Sequence, residues 1–198
     1  MALFKKATKT QSKLRMALYG VSGSGKTYSA LSLATGLGGR IALIDTERGS
    51  ASKYAGRFNF DVLEMTPPFT PASYVQAIKA AEAEGYDVLV IDSLSHAWSG
   101  AGGALEMVDN AAARSSSKNT YTAWRDVTPQ HNALVDAILQ VRCHVIATMR
   151  SKTEYVMEPD SRGKMMPRKV SMAPIQRDGM EYEFDVFGEM DINNNLIV

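Results

Sequence analysis

Apolar residues along the chain alternate between short continuous runs and longer stretches with helical spacing. The short runs, which predict buried strands, lie at residues 14–19, 41–45, 61–65, 87–92 and 143–149. The longer stretches predict helices at residues 26–37, 71–84, 104–114 and 128–141. Gly38 and Gly39 end the first helix, and Thr128 caps the last, with Pro129 in its first position. This alternation predicts an α/β fold with a doubly wound, mostly parallel sheet.

The C-terminal part of the chain follows another pattern. Residues 150–168 are polar and predict a loop too long to be a simple connection, and residues 115–120 predict a flexible tip. Strands are predicted at residues 170–172, 181–191 and 196–198, the last two joined by an asparagine-rich turn. The sheet is therefore expected to gain antiparallel strands at its C-terminal end.

The composition is that of one ordinary domain. The chain has 198 residues, 45% hydrophobic and 22% charged, and no apolar run is long enough to cross a bilayer. The basic N-terminus lacks the apolar stretch of a secretory signal, which predicts a cytoplasmic protein. The single cysteine, Cys143, lies in an apolar run and is interpreted as a core residue.

Charge is balanced over the whole chain but not along it. The formal net charge is +1, yet Met1 to Arg15 carries five cations and no acid. Arg150 to Lys169 carries six cations and three acids. Such segments are either solvated loops or contacts for a polyanion, and charge alone leaves both interpretations open.

Residues 20–27, GVSGSGKT, carry a phosphate-binding motif. They match G-x-x-x-x-G-K-[ST] in full between a predicted strand and a predicted helix, as the motif requires. The glycines let backbone N–H groups turn toward phosphates, Lys26 reaches the outer phosphates, and the Thr27 hydroxyl ligates Mg²⁺. The predicted nucleotide-binding residues are Gly20, Ser22, Gly23, Ser24, Gly25, Lys26, Thr27 and Tyr28. ATP and Mg²⁺ are the expected cofactors.

A P-loop needs carboxylates at the ends of neighbouring strands. Asp92 ends the run DVLVID, where it can complete the Mg²⁺ site with Thr27. Glu47 follows the strand at residues 41–45, on the ligand-binding edge of such a sheet. It is the predicted catalytic base that activates water, with Asp45 as the alternative.

In this order the motifs resemble the RecA-like ATPases, and within them the small phage-encoded single-strand-annealing proteins built from a bare recombinase core. The resemblance rests on the P-loop, the segment IDTE at residues 44–47, the run that ends in Asp92, and the strand at residues 145–149. It spans nearly the whole chain. It implies a RecA-like ATPase core in which Glu47 matches the catalytic glutamate and residues 148–150 lie where a γ-phosphate sensor sits.

The resemblance also implies single-stranded DNA as a partner. Residues 151–168 correspond to the family's second DNA-binding loop, where cations neutralise phosphates and Tyr155 or the Met165–Met166 pair contacts bases. The predicted DNA-binding residues are Lys152, Tyr155, Arg162, Lys164, Arg168 and Lys169. Residues 93–125 take the place of the first DNA loop. Their aromatic residues fit packing equally well; they are His96, Trp98 and Trp124.

Residues 1–13 are expected to form a basic arm in front of the ATPase core at residues 14–198. Phe4 and Ala7, in FKKA, resemble the F-x-x-A signature by which these recombinases hook onto the next subunit, although a disordered tail fits the same residues. The resemblance thus implies a homo-oligomer, either a filament or a ring. A single-strand-binding protein is a further expected partner.

In such oligomers the ATP site lies between subunits, and a cation from the neighbour stabilises charge on the γ-phosphate. Arg177 is the first candidate for this catalytic cation and Lys169 the second. The motifs of the core come without the separate DNA-binding domains of true recombinases, so annealing is expected rather than full strand exchange.

The sequence is interpreted as an ATP- and Mg²⁺-dependent core that binds single-stranded DNA and promotes annealing. Two other functions stay open: a nucleotide-dependent switch or loader for a protein partner, and a P-loop kinase for a small molecule. A kinase needs an arginine-bearing lid that the sequence does not show. DNA-stimulated ATP hydrolysis separates the first interpretation from the other two.

Overall fold

Eight strands form one sheet in the computed structural model, which describes residues 6, 12–115, 119–159 and 165–198. The strands are β1 (Arg15–Gly20), β2 (Ile41–Asp45), β3 (Asp61–Glu64), β4 (Val88–Asp92), β5 (His144–Pro159), β6 (Met165–Pro174), β7 (Val186–Met190) and β8 (Leu196–Ile197). Their order is β3-β2-β4-β5-β1-β7-β8, with β6 paired to β5 off this path. The helices are α1 (Lys26–Leu37), α2 (Pro71–Ala83), α3 (His96–Ser99), α4 (Ala104–Arg114) and α5 (Thr120–Gln140).

Across the sheet, in the order β3-β2-β4-β5-β1-β7, each strand is parallel to the next. β6 is antiparallel to β5, and β8 is antiparallel to β7. This confirms the predicted α/β fold with a mostly parallel sheet and antiparallel strands near the C-terminus. Because parallel strands end on the same edge, the register brings their last residues together. Asp45 lies beside Asp92, and Gly20 beside Arg150.

Both faces of the central sheet are buried, which explains the continuous apolar runs of its strands. On one face, Leu18 belongs to the same buried cluster as Leu31 of α1. On the other face, Ala17 belongs to the cluster that contains Ile78 of α2 and Ile138 of α5. Successive residues of β1 therefore serve opposite layers of the core.

Within the stretch predicted as a long polar loop, residues 150–159 instead belong to β5 and residues 165–168 to β6, and these two strands form a β-hairpin. β5 does not end at Met149 but continues to Pro159, and it pairs with β6 from Ser151 opposite Pro174 onward. The prediction failed because it relied on apolar residues as the sign of a strand. A hairpin that projects from the sheet needs no apolar face, since its backbone pairing does not depend on burial in the core.

Helix α5 begins at Thr120 rather than at the predicted Thr128, so Pro129 lies inside the helix. Proline removes a backbone N–H and normally ends or kinks a helix. Here the buried residues keep helical spacing on both sides of it; they are Ala123, Val127, His131, Leu134 and Ile138. Their packing holds the helix together, and the side chain of Asn119 caps its start by accepting the N–H of Tyr121 at 2.9 Å.

The strand predicted at residues 181–191 is two elements, a 3-10 helix over Met180–Glu183 and then β7. The asparagine-rich turn does connect β7 to β8, and Asp191 holds it by accepting the N–H groups of Asn193 and Asn195 at 2.8 Å each. Cys143 is buried, as predicted. Within the described residues, no helix combines the length and apolar character needed to cross a membrane.

Candidate functional site

The P-loop connects the end of β1 to the first turn of α1. Gly25, the residue before α1, has a φ of 83° in the left-handed region, which favours glycine. Gly20 is closed in from another side, because a Cβ there would lie 2.4 Å from the carbonyl oxygen of Met190. The loop therefore needs glycine at Gly25 to turn and at Gly20 to fit beside Met190 of β7.

Lys26 lies over this loop. Its Nζ donates to the carbonyl oxygens of Gly20 at 3.0 Å and Val21 at 2.7 Å. Burial lowers the pKa of Lys26, while the nearby Asp92 and Glu47 act in the opposite direction. The ammonium is thus held in the cleft by weak neutral acceptors, which a phosphate oxygen can replace with a stronger charged one.

Asp92 is the buried acid at the centre of the site, with 2% of its surface exposed. Its two carboxylate oxygens accept hydroxyl hydrogen bonds, one from Thr27 at 2.6 Å and one from Thr148 at 2.5 Å. Burial raises the pKa of Asp92, and these two hydrogen bonds counter that effect. The two threonines thus hold the Asp92 carboxylate in one orientation at the end of β4.

The oxygen donors here fit Mg²⁺ with bound phosphate. Thr27 and Asp92 offer a hydroxyl and a carboxylate, and Mg²⁺ prefers such ligands together with water and phosphate oxygens. The described part of the chain holds no group of three or more His, Cys, Asp or Glu side chains suited to a metal. The residues therefore fit a Mg²⁺ ion that arrives with a nucleotide rather than a resident metal held by protein ligands alone.

Glu47 lies beyond the end of β2 and forms an ion pair with Arg150. Arg150 Nε donates to Glu47 Oε1 at 2.9 Å, and Arg150 Nη2 donates to Oε2. His96 Nε2 lies 4.0 Å from the same Oε1. Burial alone would raise the pKa of Glu47, but Arg150 above all, with His96 and Lys26, lowers it below its usual value. Glu47 is thus a carboxylate at the cleft, ionised and paired.

Asp45, the alternative catalytic base, is fully engaged by backbone groups. Its Oδ1 accepts the N–H of Glu47 at 2.6 Å, and its Oδ2 accepts the N–H of Ala51 at 3.0 Å. Asp45 is only 1% exposed and does not line the P-loop cleft. Its contacts indicate a structural role, which is to shape the turn that carries Glu47.

A cleft of about 650 Å³ joins these groups. The lining includes three residues that the sequence analysis did not single out, Ser50, Tyr54 and Ser151. Tyr54 supplies an aromatic ring, the type of surface on which a nucleotide base can stack. The Oγ of Ser151 is buried with no hydrogen-bond partner among the described residues, which leaves a donor for a ligand oxygen.

Comparison with known proteins adds a family. An AAA domain family matches residues 12–196. The chain belongs to this family. A crystal structure of the RadB recombinase has the same fold, with a TM-score of 0.51, 19% identity, and coverage of 90% of this chain and 74% of that chain. A search of the curated proteins finds no match. Family and fold together confirm a RecA-like P-loop NTPase domain.

Two of the predicted nucleotide-binding residues of this AAA domain, Ser24 and Tyr28, do not line the cleft. Ser24 is fully buried, and its backbone N–H donates to the Val21 carbonyl at 3.3 Å. The ring of Tyr28 packs edge-on against Tyr54 at 6.0 Å and against Phe58 at 5.3 Å between ring centroids. The other predicted P-loop residues line the cleft, namely Gly20, Ser22, Gly23, Gly25, Lys26 and Thr27.

The C-terminal turn of the AAA domain reaches the P-loop from the far end of the chain. Asn194 Nδ2 lies 3.5 Å from the carbonyl oxygen of Gly23, and a Cβ on Gly25 would lie 3.1 Å from the same nitrogen. Asn194 has a φ of 65° in the left-handed region, which asparagine tolerates better than most residues. The turn thus supports one side of the phosphate-binding loop.

Four of the six predicted DNA-binding residues lie on the two strands of the hairpin. Lys152 is exposed on β5, and Met165 and Met166 are exposed on β6. The structure places the backbone of Tyr155, Arg168 and Lys169 on the paired strands and does not describe their side chains. Outside the described residues altogether lie Arg162, Lys164, Phe4 and Ala7.

Arg177 lies in a different cleft from the P-loop. It lines a cavity of about 740 Å³ together with Lys152, at the foot of the hairpin. Its Nη1 donates to the side-chain oxygen of Asn132 on α5 at 3.2 Å. Arg177 therefore does not line the P-loop cleft of its own chain. Its role as a cation supplied to a neighbouring subunit stays a prediction.

The sequence left open whether three aromatic residues pack in the core or contact DNA. These residues, His96, Trp98 and Trp124, all pack against neighbouring rings. The ring of Trp98 stacks on Trp124 with centroids 5.5 Å apart, inside a small cluster formed with α4 and α5. His96 stacks on Phe69 at 5.0 Å, and its Nδ1 lies 2.7 Å from the Thr46 hydroxyl. These contacts favour the packing interpretation for all three.

Proposed function

We propose that this chain is an ATP- and Mg²⁺-dependent recombinase core that binds single-stranded DNA and promotes the annealing of complementary strands. The cleft supports the nucleotide part, since there Lys26 would meet the outer phosphates and Thr27 with Asp92 would hold the metal. Mg²⁺, when bound, neutralises charge on the phosphates. The P-loop backbone orients the phosphate chain, and Glu47 accepts a proton from the attacking water.

The observation that carries the DNA part is the continuity of β5. This one strand contacts Asp92 through Thr148, contacts Glu47 through Arg150, and then becomes the outer hairpin that bears Lys152. A ligand on the hairpin therefore acts directly on the strand that holds both functional carboxylates. Basic and aromatic residues on such an element suit the phosphates and bases of a single strand.

The far edge of the sheet supports the proposed oligomer. β3 is the edge strand of the described sheet, and all four of its residues are exposed. Beside it lies an apolar groove of about 240 Å³ between β3 and α2, whose lining includes Asp61 and Glu84. The segment from Phe4 to Ala7 offers an aromatic side chain for the groove and two lysines for these acids. We propose that this segment docks on the edge of the next subunit.

One experiment tests the function as a whole: the ATPase rate with and without an oligo-dT strand, measured across a salt series. Stimulation by DNA that weakens with salt is expected, because phosphate contacts release counterions. Hydrolysis that DNA leaves unchanged would favour a nucleotide-dependent switch, and phosphoryl transfer to a small molecule would favour a kinase. The cytoplasmic location remains a prediction from the sequence.

A further inference from the structure

The ion pair between Glu47 and Arg150 places the proposed catalytic base under the control of another residue. Both carboxylate oxygens of Glu47 accept hydrogen bonds from the one guanidinium group. A carboxylate held in this bidentate way has a lower affinity for protons and is less free to turn toward a water molecule. The pair therefore opposes the role of Glu47 as a base for as long as it persists.

Arg150 occupies the junction between the sheet and the hairpin. It is the last residue of β5 paired with β1, opposite Gly20, and the next residue, Ser151, is the first paired with β6. Its N–H donates to Ser95 Oγ at 2.9 Å, and its carbonyl accepts the N–H of Ile175 at 2.7 Å. A displacement of either hairpin strand is therefore transmitted to the backbone of Arg150.

We propose that Arg150 is a positioning residue that restrains Glu47, so that ATP hydrolysis stays slow until single-stranded DNA displaces the hairpin. This inference rests on the function proposed above. When the pair opens, Glu47 takes a proton from water, the water oxygen bonds to the γ-phosphorus, and the bond from that phosphorus to the ADP oxygen breaks. Arg150 transfers no proton in this sequence.

A second polar group, the ring of His96, lies near Glu47 and would remain there after Arg150 leaves. His96 lies 4.0 Å from Glu47 Oε1 and is itself fixed by Thr46 at 2.7 Å and by stacking on Phe69. Burial lowers the pKa of His96 below its usual value, which favours the neutral ring. A neutral imidazole holds a carboxylate in place less tightly than a guanidinium does. His96 can therefore orient the released Glu47 without suppressing its basicity.

The test compares Arg150→Gln with a matched control, Arg142→Gln, in ATPase assays with and without an oligo-dT strand. Arg142 forms an exposed pair of the same chemistry with Glu82 at 2.9 Å, away from the cleft. Arg150→Gln should raise the DNA-free rate roughly fivefold, as expected for an ion pair of modest strength, and should leave the DNA-stimulated rate within about twofold. Arg142→Gln should change neither rate. Arg150→Lys should fall between, because lysine makes a single contact.

A second readout is the pH dependence of the DNA-free rate. Removing the guanidinium should let the pKa of Glu47 rise, so the acidic limb of the profile should move to higher pH in Arg150→Gln. A fall of both rates in Arg150→Gln, in protein that melts like wild type, would show that Arg150 supports the base and would overturn the inference. An unchanged ratio of stimulated to DNA-free rate would overturn it as well. Failure of the proposed function looks different, since DNA would then stimulate neither wild type nor any variant.

Discussion

Replacing Glu47 with glutamine isolates the chemical role of its carboxylate. The amide keeps the size and shape of the side chain, and its oxygen can still accept one hydrogen bond from Arg150, but it cannot take a proton from water. Loss of a general base usually slows a reaction by about 10² to 10⁴, or about 2.7–5.4 kcal/mol of activation free energy. We therefore expect Glu47→Gln to lower the ATP turnover number by roughly 10²-fold or more.

The same change should leave nucleotide binding nearly intact. The groups assigned to the phosphates are Lys26 and the P-loop backbone, and those assigned to Mg²⁺ are Thr27 and Asp92; none of these groups hydrogen-bonds to Glu47. ATP affinity should therefore stay within about threefold of wild type, since only transition-state interactions are lost. The half-exposed ion pair with Arg150 is worth at most about 1 kcal/mol, so the fold should survive.

The assay pairs single-turnover hydrolysis with equilibrium binding of a fluorescent ATP analogue. The matched control is Glu64→Gln, because Glu64 is an exposed glutamate in the cleft on the other side of Glu47. Wild type should lose activity as the pH falls through the lowered pKa of Glu47, and this limb should vanish in the variant. Turnover within threefold of wild type, with normal ATP binding, would refute the assignment of the base.

Three further predictions follow from single features of the chain. Lys26→Ala should abolish hydrolysis and weaken ATP binding sharply in the same binding assay, and undiminished turnover would end the P-loop account. Arg15→Met should destabilise the fold by about 2–4 kcal/mol in urea denaturation, because the buried guanidinium donates to several backbone carbonyls at the end of α5, among them Cys143 at 2.8 Å. A change below 0.5 kcal/mol would contradict that reading. Deleting residues 1–10 should leave the melting curve intact but reduce the mass in light scattering, if Phe4 and Ala7 dock on a neighbour; an unchanged mass would refute the docking.

Most of the fold could be predicted from local patterns in the sequence. The bounds of α1 and α4 agree with the predicted helices, because an apolar face with helical spacing is encoded within a few residues. For α1 the glycine at its C-terminal end, Gly38, adds a stop signal. Asp92 could be placed for a similar reason, since a carboxylate after a buried strand falls at the ligand edge of a parallel sheet.

The two main errors, the start of α5 and the hairpin, have different physical origins. Pro129 is a good marker for a helix start, but the buried residues before it pack against α4 and extend the helix backward. The hairpin was missed because exposed strands lack the apolar signature used to find them.

Contacts within the site that join distant segments could not have been found from the sequence. Arg150 and Glu47 are 103 residues apart, and Asn194 lies 171 residues from Gly23 of the P-loop. No periodicity connects such positions, since their approach is set by strand order. The ion pair of Glu47 with Arg150 and the contact of the C-terminal turn with the P-loop are therefore visible only in the folded chain.

The central claim is that the hairpin delivers single-stranded DNA to the ATPase, and salt-dependent DNA binding by Lys164→Ala/Arg168→Ala tests it most directly. Lys169 is left intact because it is also a candidate for the cation supplied to a neighbour. The control, Lys79→Ala/Arg142→Ala, removes two exposed cations, Lys79 on α2 and Arg142, which pairs with Glu82 of α2. We expect the double variant to bind oligo-dT more weakly and to lower the log–log salt slope by about 1.4, or about 0.7 for each lost phosphate contact, while the control matches wild type. Wild-type affinity and slope in Lys164→Ala/Arg168→Ala would contradict the account and favour a nucleotide-dependent switch.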